Sequence, residues 1–176
     1  SVGEEELRGV DTKPLVGHLA AWNYFMSIKA PENEAFIKAW KDYVAKNKLP
    51  GGDKRVTNDP MEAHYIGFNM WVKAVEKAGT TDPSAVIDAM IGVAVPNLTG
   101  GFSAMMPNHH ITKPVLIGEI QDDGQFEVVS ETKGTVAGDE WSDYLPGSKD
   151  LIADWRKPLA CGNFNVKTGK CGGSGK

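Results

Sequence analysis

The chain has 176 residues and a formal net charge of −4, which is the length of one domain of ordinary size. Apolar residues make up 41% of it, too many for a disordered chain. The 23 acidic residues outnumber the 19 basic ones, so there is no basic footprint for nucleic acid. The longest uncharged run, residues 89–108, is interrupted by Gly and Pro that would leave backbone groups unpaired in lipid, so we expect no membrane span.

Hydrophobic spacing predicts a strand followed by a helix in the first 50 residues. Residues 17–25 are rich in aromatic residues after a glycine, which is typical of a buried strand leading into a loop. Residues 31–48 change to helical spacing. The stripe expected to be buried consists of Phe36, Trp40 and either Tyr43 or Val44.

Two further helices carry clear start signals. Asp59 is expected to cap a helix that runs to about residue 78, with Pro60 in its first turn. A third helix is expected from Asp82 to about residue 91. The apolar stripe predicted for the longer of these two helices consists of Tyr65, Phe68, Trp71 or Val72, and Val75.

A loop and a hairpin are predicted in the second half of the chain. Residues 93–112 are rich in Gly, Pro and Asn, which indicates a loop. Residues 114–121 and 125–130 are strand-like and flank a turn, which predicts a β-hairpin. A strand followed by helices is an α/β pattern, although the strands are too few for a complete doubly wound sheet.

The two cysteines, Cys161 and Cys171, lie close together in the sequence. Asn165 and Gly169 between them are turn residues, so the segment can fold back as a hairpin. A disulfide here would contribute about 2–3 kcal/mol and would indicate an oxidising compartment. Two unrelated free thiols, or half of a metal site, are the alternatives; the chain has no Cys-x-x-Cys pair and no nearby His to support a metal.

No catalytic motif is present in the sequence. Adjacent His109 and His110 cannot easily face one ion, and His64 has no acid or second His one helical turn away. The serine-hydrolase, zinc-protease and phosphate-loop motifs are absent. We therefore expect no metal, no cofactor and no enzymatic activity.

Two segments are candidates for a binding site. The run Glu4-Glu5-Glu6 is either the solvated first turn of a helix or a carboxylate at the carboxyl end of a strand, where open α/β sheets bind ligands. Trp22 and Tyr24 flank Asn23, an arrangement that suits either core packing or the recognition of a planar polar solute.

Several segments, taken together, are more specific than any single motif. They are SVGEEELRG at 1–9, GHLAAWNYF at 17–25, TNDPMEAHYIG at 57–67, NHHITKP at 108–114, DGQFE at 123–127 and YLPGSK at 144–149. On these collinear segments, which span nearly the whole chain, the sequence resembles the urea-type substrate-binding proteins of ABC transporters.

The resemblance implies an α/β fold, namely the C-terminal portion of a two-lobed type I periplasmic binding protein. Its helices would pack on mostly parallel sheets, followed by a late β-hairpin. Residues 1–24 would form a strand end and the crossover from the C-terminal lobe, and 25–100 would be a helical part of the N-terminal lobe. Residues 101–160 would form the hairpin, hinge and return to the C-terminal lobe, and 161–176 a tail with the disulfide.

The resemblance also implies a function and a set of ligand-binding residues. The protein would be an exported, periplasmic component that captures urea or a short-chain amide between two lobes and delivers it to an ABC permease. Glu4 best matches the ligand-binding acid of related proteins, with Glu5 second if the register slips by one, and Val2 lies beside them. By the same resemblance Trp22, Asn23 and Tyr24 would line the hinge.

Urea suits such a site because it is planar and neutral, with four N–H donors that need oxygen acceptors. The alternatives are a branched-chain amino-acid binding protein, a cytoplasmic amide-sensing regulator of the same fold, and an amide-processing enzyme. A cysteine disulfide would count against the regulator, and the lack of a nucleophile motif counts against the enzyme.

Overall fold

The computed structural model describes residues 2–138 and the backbone of two short strands, Phe164–Asn165 and Lys170–Cys171. The chain divides into two compact units, Ser1–Gly138 and Asp139–Lys176. The predicted assignment of segments to the lobes of a larger protein stays a prediction.

Within residues 2–138 the helices are α1 (Glu4–Arg8), α2 (Pro31–Lys46), α3 (Asp59–Ala78) and α4 (Pro83–Met90). Short 3₁₀ turns lie at Lys13–Leu15 and Gly52–Lys54. The bounds of α2, α3 and α4 confirm the predicted helices to within two residues. None of the helices in the described residues has the length and apolar character required to cross a membrane.

The first residues form a helix, which is one of the two alternatives left open for the acidic run, and not the strand end that the resemblance implied. Residues 2 and 3 have no strand structure, and Glu4 is the first residue of α1. The acidic run is therefore the first turn of a helix, where negative charge is favourable. In this turn the Glu6 carboxylate accepts a hydrogen bond from the backbone N–H of Gly3 at 2.8 Å.

The cap of α3 is Asn58 and not Asp59 as predicted. The Asn58 side chain accepts a hydrogen bond from the backbone N–H of Met61 at 3.2 Å, which leaves Asp59 as the first helical residue. The prediction was displaced by one residue because Asn and Asp cap equally well. The consequence is that the Asp59 carboxylate is available for a partner outside its own helix.

The strands of the first unit are β1 (Leu19–Trp22), β2 (Ala94–Pro96), β3 (Phe102–Ala104), β4 (Leu116–Ile120) and β5 (Phe126–Glu131). One sheet has the order β1-β4-β5, and β2 pairs with β3. The β4–β5 hairpin was predicted, whereas β2 and β3 lie in the expected loop. All pairs of described strands are antiparallel, so the predicted mostly parallel sheets are not found among them.

The second unit contains the hairpin expected between the two cysteines. Strand β6 (Phe164–Asn165) pairs with β7 (Lys170–Cys171), with Phe164 opposite Cys171. Cys161 and the side chain of Cys171 lie outside the described residues. The disulfide between them therefore stays a prediction.

The buried face of α3 is not the predicted aromatic stripe. Ile66, Met70 and Ala74 are fully buried, whereas Tyr65, Phe68 and Trp71 are 45%, 63% and 42% exposed. The buried residues pack against α4 and the residues around β2. The predicted stripe and the buried stripe both have helical spacing and are offset by about one residue. The prediction chose the stripe with the larger aromatic side chains, which is the exposed one.

A second core lies between α1 and the three-stranded sheet. It contains Phe25 and Phe126, whose ring centroids are 4.6 Å apart, with Leu7, Leu116 and Ile120 around them. The Phe25 ring lies directly on Gly118, where a Cβ atom would come within 2.6 Å of a ring carbon. The β4–β5 register shifts between Ile117 and Gly118 at the same place.

An ion pair between Lys113 and Glu62 connects α3 to the segment before β4. The Lys113 Nζ donates to Glu62 Oε2, and both residues are buried. Burial raises the pKa of the Glu62 carboxyl, and the charge of Lys113 acts in the opposite direction. A buried charge needs its partner, because a solitary charge in this place would be strongly destabilising.

We expect Gly118→Ala to lower the free energy of unfolding by about 1–3 kcal/mol, because the new methyl group overlaps the Phe25 ring. Gly67→Ala is the matched control: Gly67 lies inside α3 with open space around it, and alanine there should stabilise by about 0.5–1 kcal/mol. Thermal unfolding followed by circular dichroism measures both. Equal effects of the two substitutions would contradict the packing of Phe25 on Gly118.

Lys113→Met should destabilise the protein by about 3–5 kcal/mol near pH 8, because it leaves the Glu62 carboxylate buried without a partner. The loss should shrink at acidic pH, where Glu62 can be protonated. Lys38→Met is the control, since Lys38 and Asp42 form an exposed pair whose loss should change stability by less than about 1 kcal/mol. Calorimetric unfolding at pH 5 and pH 8 tests this, and a loss independent of pH would be evidence against the buried pair.

Candidate functional site

A cavity of about 80 Å³ lies where α1, the end of β1 and the start of α3 meet. It has room for several water molecules, at about 10–15 Å³ each, or for a ligand of a few non-hydrogen atoms. Its walls carry three carboxylates, two aromatic rings and one amide. The lining residues are Gly3, Glu4, Glu6, Trp22, Tyr24, Asn58, Asp59 and Pro60.

Glu4 is the most deeply buried acid of this cavity, at 2% exposure. Its Oε1 accepts a hydrogen bond from the backbone N–H of Met26 at 2.6 Å. Burial raises the pKa of Glu4 to about 7, and the negative charges of Asp59 and Glu6 act in the same direction. Near neutral pH the group is therefore a mixture of carboxylate and carboxylic acid, and it can accept or donate a hydrogen bond.

Asp59 is fixed by the end of β1. The backbone N–H of Asn23 donates to Asp59 Oδ1 at 3.0 Å. Burial raises the pKa of the Asp59 carboxyl, while the positive charge of Lys113 acts to lower it. The position of Asp59 at the first turn of α3 thus places a second carboxylate in the cavity wall.

Asn23 is a connecting residue that does not line the cavity. Besides the bond from its backbone to Asp59, its side-chain Nδ2 donates to the carbonyl of Pro114 at 2.6 Å. Asn23 therefore joins β1 to α3 and to the segment before β4. The sequence predicted a ligand contact for this amide, but the structure uses it to hold the walls in place.

Tyr24 forms a fully buried wall of the cavity. Its hydroxyl donates to Asn33 Oδ1 at 2.7 Å and lies 2.7 Å from Thr57 Oγ1. Burial raises the pKa of Tyr24 far above its usual value, so the phenol stays neutral. The side chain offers the cavity an uncharged aromatic surface with its hydroxyl already paired.

Trp22 is the second aromatic wall, and it also ties the first residues of the chain to β1. Its indole Nε1–H donates to the carbonyl oxygen of Val2 at 2.9 Å. Val2 itself is 37% exposed and does not line the cavity. The bond fixes the plane of the indole ring next to Glu4.

The structure brings together three of the predicted site residues, namely Glu4, Trp22 and Tyr24. Glu5 does not line the cavity, because its carboxylate pairs with Arg8 on the surface of α1. Asp59 was missed because the sequence assigned it a capping role. A signal was available in the Asn58-Asp59 pair, since one of two adjacent residues that can both cap is left free for another contact.

No group of three or more His, Cys, Asp or Glu side chains is arranged to hold a metal ion in the described part of the chain. His109 adopts a left-handed backbone conformation with φ of 61°, in the loop between β3 and β4.

Comparison with known proteins identifies the family. Residues 1–147 match the family described as periplasmic binding protein domain. A solute-binding protein of an ABC transporter from Rhodopseudomonas palustris HaA2, solved with p-hydroxybenzoic acid, is 25% identical with a TM-score of 0.55. The match covers 70% of this chain and 33% of that one.

Two further similar structures support the fold. An amino-acid ABC transporter substrate-binding protein from Pseudomonas fluorescens Pf-5 is 21% identical with a TM-score of 0.57, covering 78% of this chain and 36% of that one. A leucine binding protein from Thermotoga maritima MSB8 is 14% identical with a TM-score of 0.54, covering 68% and 31%.

One further relative has the name of an enzyme and not of a binding protein. A protein called limonene hydroxylase from Geobacillus stearothermophilus is 28% identical over 118 residues, which are 67% of this chain and 20% of that protein. The chain thus spans about a third of the solved proteins and a fifth of this relative. Because the family match covers most of its length, the chain belongs to the periplasmic binding protein domain family, and its helices and open sheets form part of a type I periplasmic binding protein fold.

Proposed function

We propose that the protein is the solute-binding component of an ABC transporter and that it captures urea or a short-chain amide. The observation that carries the ligand class is the lining of the cavity, which among the described residues has three carboxylates, one amide and no basic side chain. Such a wall accepts hydrogen bonds from a ligand that is rich in N–H donors. The protein would then deliver this ligand to the permease of the transporter.

Each part of a urea molecule has a counterpart in the cavity. Its N–H groups can donate to Glu4 and Asp59, and its flat faces can lie against Trp22 and Tyr24. Asn58 uses its Oδ1 to cap α3, so its amide nitrogen is the natural donor to the urea carbonyl. Ligands that leave these buried groups unpaired would be rejected, because each unpaired group costs about 1–3 kcal/mol.

The charge of the cavity favours an amide over the ligands named for the similar structures. An aromatic acid or an amino acid carries a carboxylate, which needs a cation or several N–H donors. The cavity walls instead contain Glu4, Glu6 and Asp59. A branched-chain amino acid is the second candidate, because a leucine binding protein is among the similar structures.

The family also supports a location outside the cytoplasm. Periplasmic binding proteins of ABC transporters work in the periplasm or outside the cell, and we propose the periplasm for this protein. A disulfide between Cys161 and Cys171 would agree with that location. Thiol titration of the unfolded protein, with and without reductant, distinguishes this proposal from a cytoplasmic amide sensor, which would keep both thiols free.

An enzymatic function has less support, since the family and the similar structures are binding proteins. The relative named limonene hydroxylase shares only a fifth of its length with this chain. Ammonia release from urea by the full-length protein would overturn the proposal of a pure binding protein.

We expect isothermal titration of the full-length protein to show tighter binding of urea, acetamide or formamide than of leucine or 4-hydroxybenzoate. Glu4→Ala should weaken amide binding at least tenfold, because it removes a buried acceptor. Glu5→Ala is the matched control and should stay within about twofold, since Glu5 pairs with Arg8 outside the cavity. Tightest binding of leucine, or equal effects of the two variants, would count against the proposal.

The burial of Glu4 also predicts a pH dependence of stability. Because the folded state raises its pKa from 4.5 to about 7, the folded protein binds this proton more tightly than the unfolded chain does. The contribution of Glu4 to the free energy of unfolding should therefore fall by about 3 kcal/mol as pH rises from about 4.5 to 7. Thermal unfolding of Glu4→Gln across this range should lack that decline, and a parallel decline in wild type and variant would contradict the burial of Glu4.

A further inference from the structure

One face of α3 carries no charged residue. With about 100° between successive residues, the positions that point away from Ile66, Met70 and Ala74 form one continuous stripe. Apart from His64, whose Nδ1 lies 2.7 Å from the carbonyl oxygen of Pro60, the side chains of this stripe are apolar or aromatic. We call it the outer face of α3, and it consists of Met61, His64, Tyr65, Phe68, Trp71 and Val72.

The charged residues of α3 lie elsewhere on the helix. Asp59 and Glu62 make the buried contacts described above. Lys73 and Lys77 donate to backbone carbonyl groups of β2 and α4 at 3.0 and 2.9 Å. A helix on the surface of a globular protein normally has its charged residues on the side opposite the core, whereas α3 is apolar on that side too. This pattern is typical of a helix that is buried between two layers.

The aromatic rings of the outer face are in contact with solvent. Roughly half of each of the side chains of Tyr65, Phe68 and Trp71 is exposed, and the ring centroids of Phe68 and Trp71 are 5.9 Å apart. Since such a side chain can bury about 150–250 Å², the three leave on the order of 200–400 Å² of surface uncovered. A groove of about 600 Å³ between α2 and α3 continues this surface, with the rings of Phe36 and Tyr65 4.9 Å apart. Contiguous apolar patches of this size commonly mark an interface.

Area and chain length distinguish between the candidates for covering this face. A stable interface between separate proteins buries about 800 Å² on each side, which is well above what the three rings offer to a second copy of the chain. A segment of the same polypeptide needs less area, because it is already held nearby. The similar solved proteins are long enough to contain such a segment, since the matches cover only 33% and 36% of their chains.

We propose that the outer face of α3 and the groove beside it form an internal interface of the full-length protein, covered by an apolar part of the same polypeptide outside residues 1–176. The covering element presents apolar side chains, because a charge buried against this face would find no partner. In this arrangement the aromatic stripe that the sequence predicts as buried is indeed buried, on the side of α3 away from the core.

Photo-crosslinking of the purified full-length protein tests this. The photoreactive residue p-benzoylphenylalanine replaces Phe68, and in a control it replaces Lys38, which is exposed on α2. Irradiation at position 68 should give a product of monomer mass whose cross-linked peptide lies outside residues 1–176, at a yield at least tenfold above that from position 38. A cross-link within residues 1–176, a cross-linked dimer, or equal yields at the two positions would overturn the proposal.

Thermal unfolding of two serine variants of the full-length protein is an independent measurement. Phe68→Ser should lower the Tm by about 10 °C, because a buried aromatic side chain is lost, and the shift should not depend on protein concentration. Lys38→Ser should change the Tm by less than about 2 °C, since its pair with Asp42 is exposed. A shift for Phe68→Ser as small as that of the control would show that the face is open to solvent. Neither experiment involves a ligand, so failure of the proposed amide function would leave this inference untouched.

Discussion

The ion pair between Lys113 and Glu62 is the interaction on which the arrangement of the cavity depends. It fixes α3 against the segment before β4 in a place that excludes water. Asp59 lies one helical turn before Glu62 on α3, and Asn23 bonds both to Asp59 and to Pro114, the residue after Lys113. The pair joins α3 to the segment before β4, and Asn23 joins both of these to the end of β1. A change in the ion pair would therefore displace the cavity wall as well as the core.

The buried acids in and around this pair destabilise the folded state when they are ionised. Burial raises the pKa of Glu4, Asp59 and Glu62, which means that each is less favourably ionised in the fold than in water. Lys113 offsets part of this cost for Asp59 and Glu62 only. A structural network can also shift pKa values, but Glu4 and Asp59 differ from Glu62 because they border a cavity, and shifted acids in cavities are typical of binding sites.

The sequence predicted the features that depend on local residue order. Helix starts at Pro31, Asn58-Asp59 and Asp82-Pro83, and the hairpin around Gly124, follow from capping and turn chemistry within a few residues. The buried face of α3 and the strands β2 and β3 depend on what packs against them, and periodicity cannot show this. The same limit applies to the cavity. Glu4, Trp22 and Tyr24, which the resemblance predicts as ligand-binding residues, do line it, while the place of Asp59 depends on a contact with Asn23, 36 residues away in sequence.

Charge is the property by which this cavity differs from what an acid-binding protein of the same fold would need. A carboxylate ligand must be met by cations or by clusters of N–H groups, whereas the walls here present oxygen atoms of Glu4 and Asp59 and aromatic faces. Because burial raises the pKa of Glu4 to about 7, the charge of these walls changes with pH near neutrality, while Asn23 and Met26 hold the carboxylates of Asp59 and Glu4 in place.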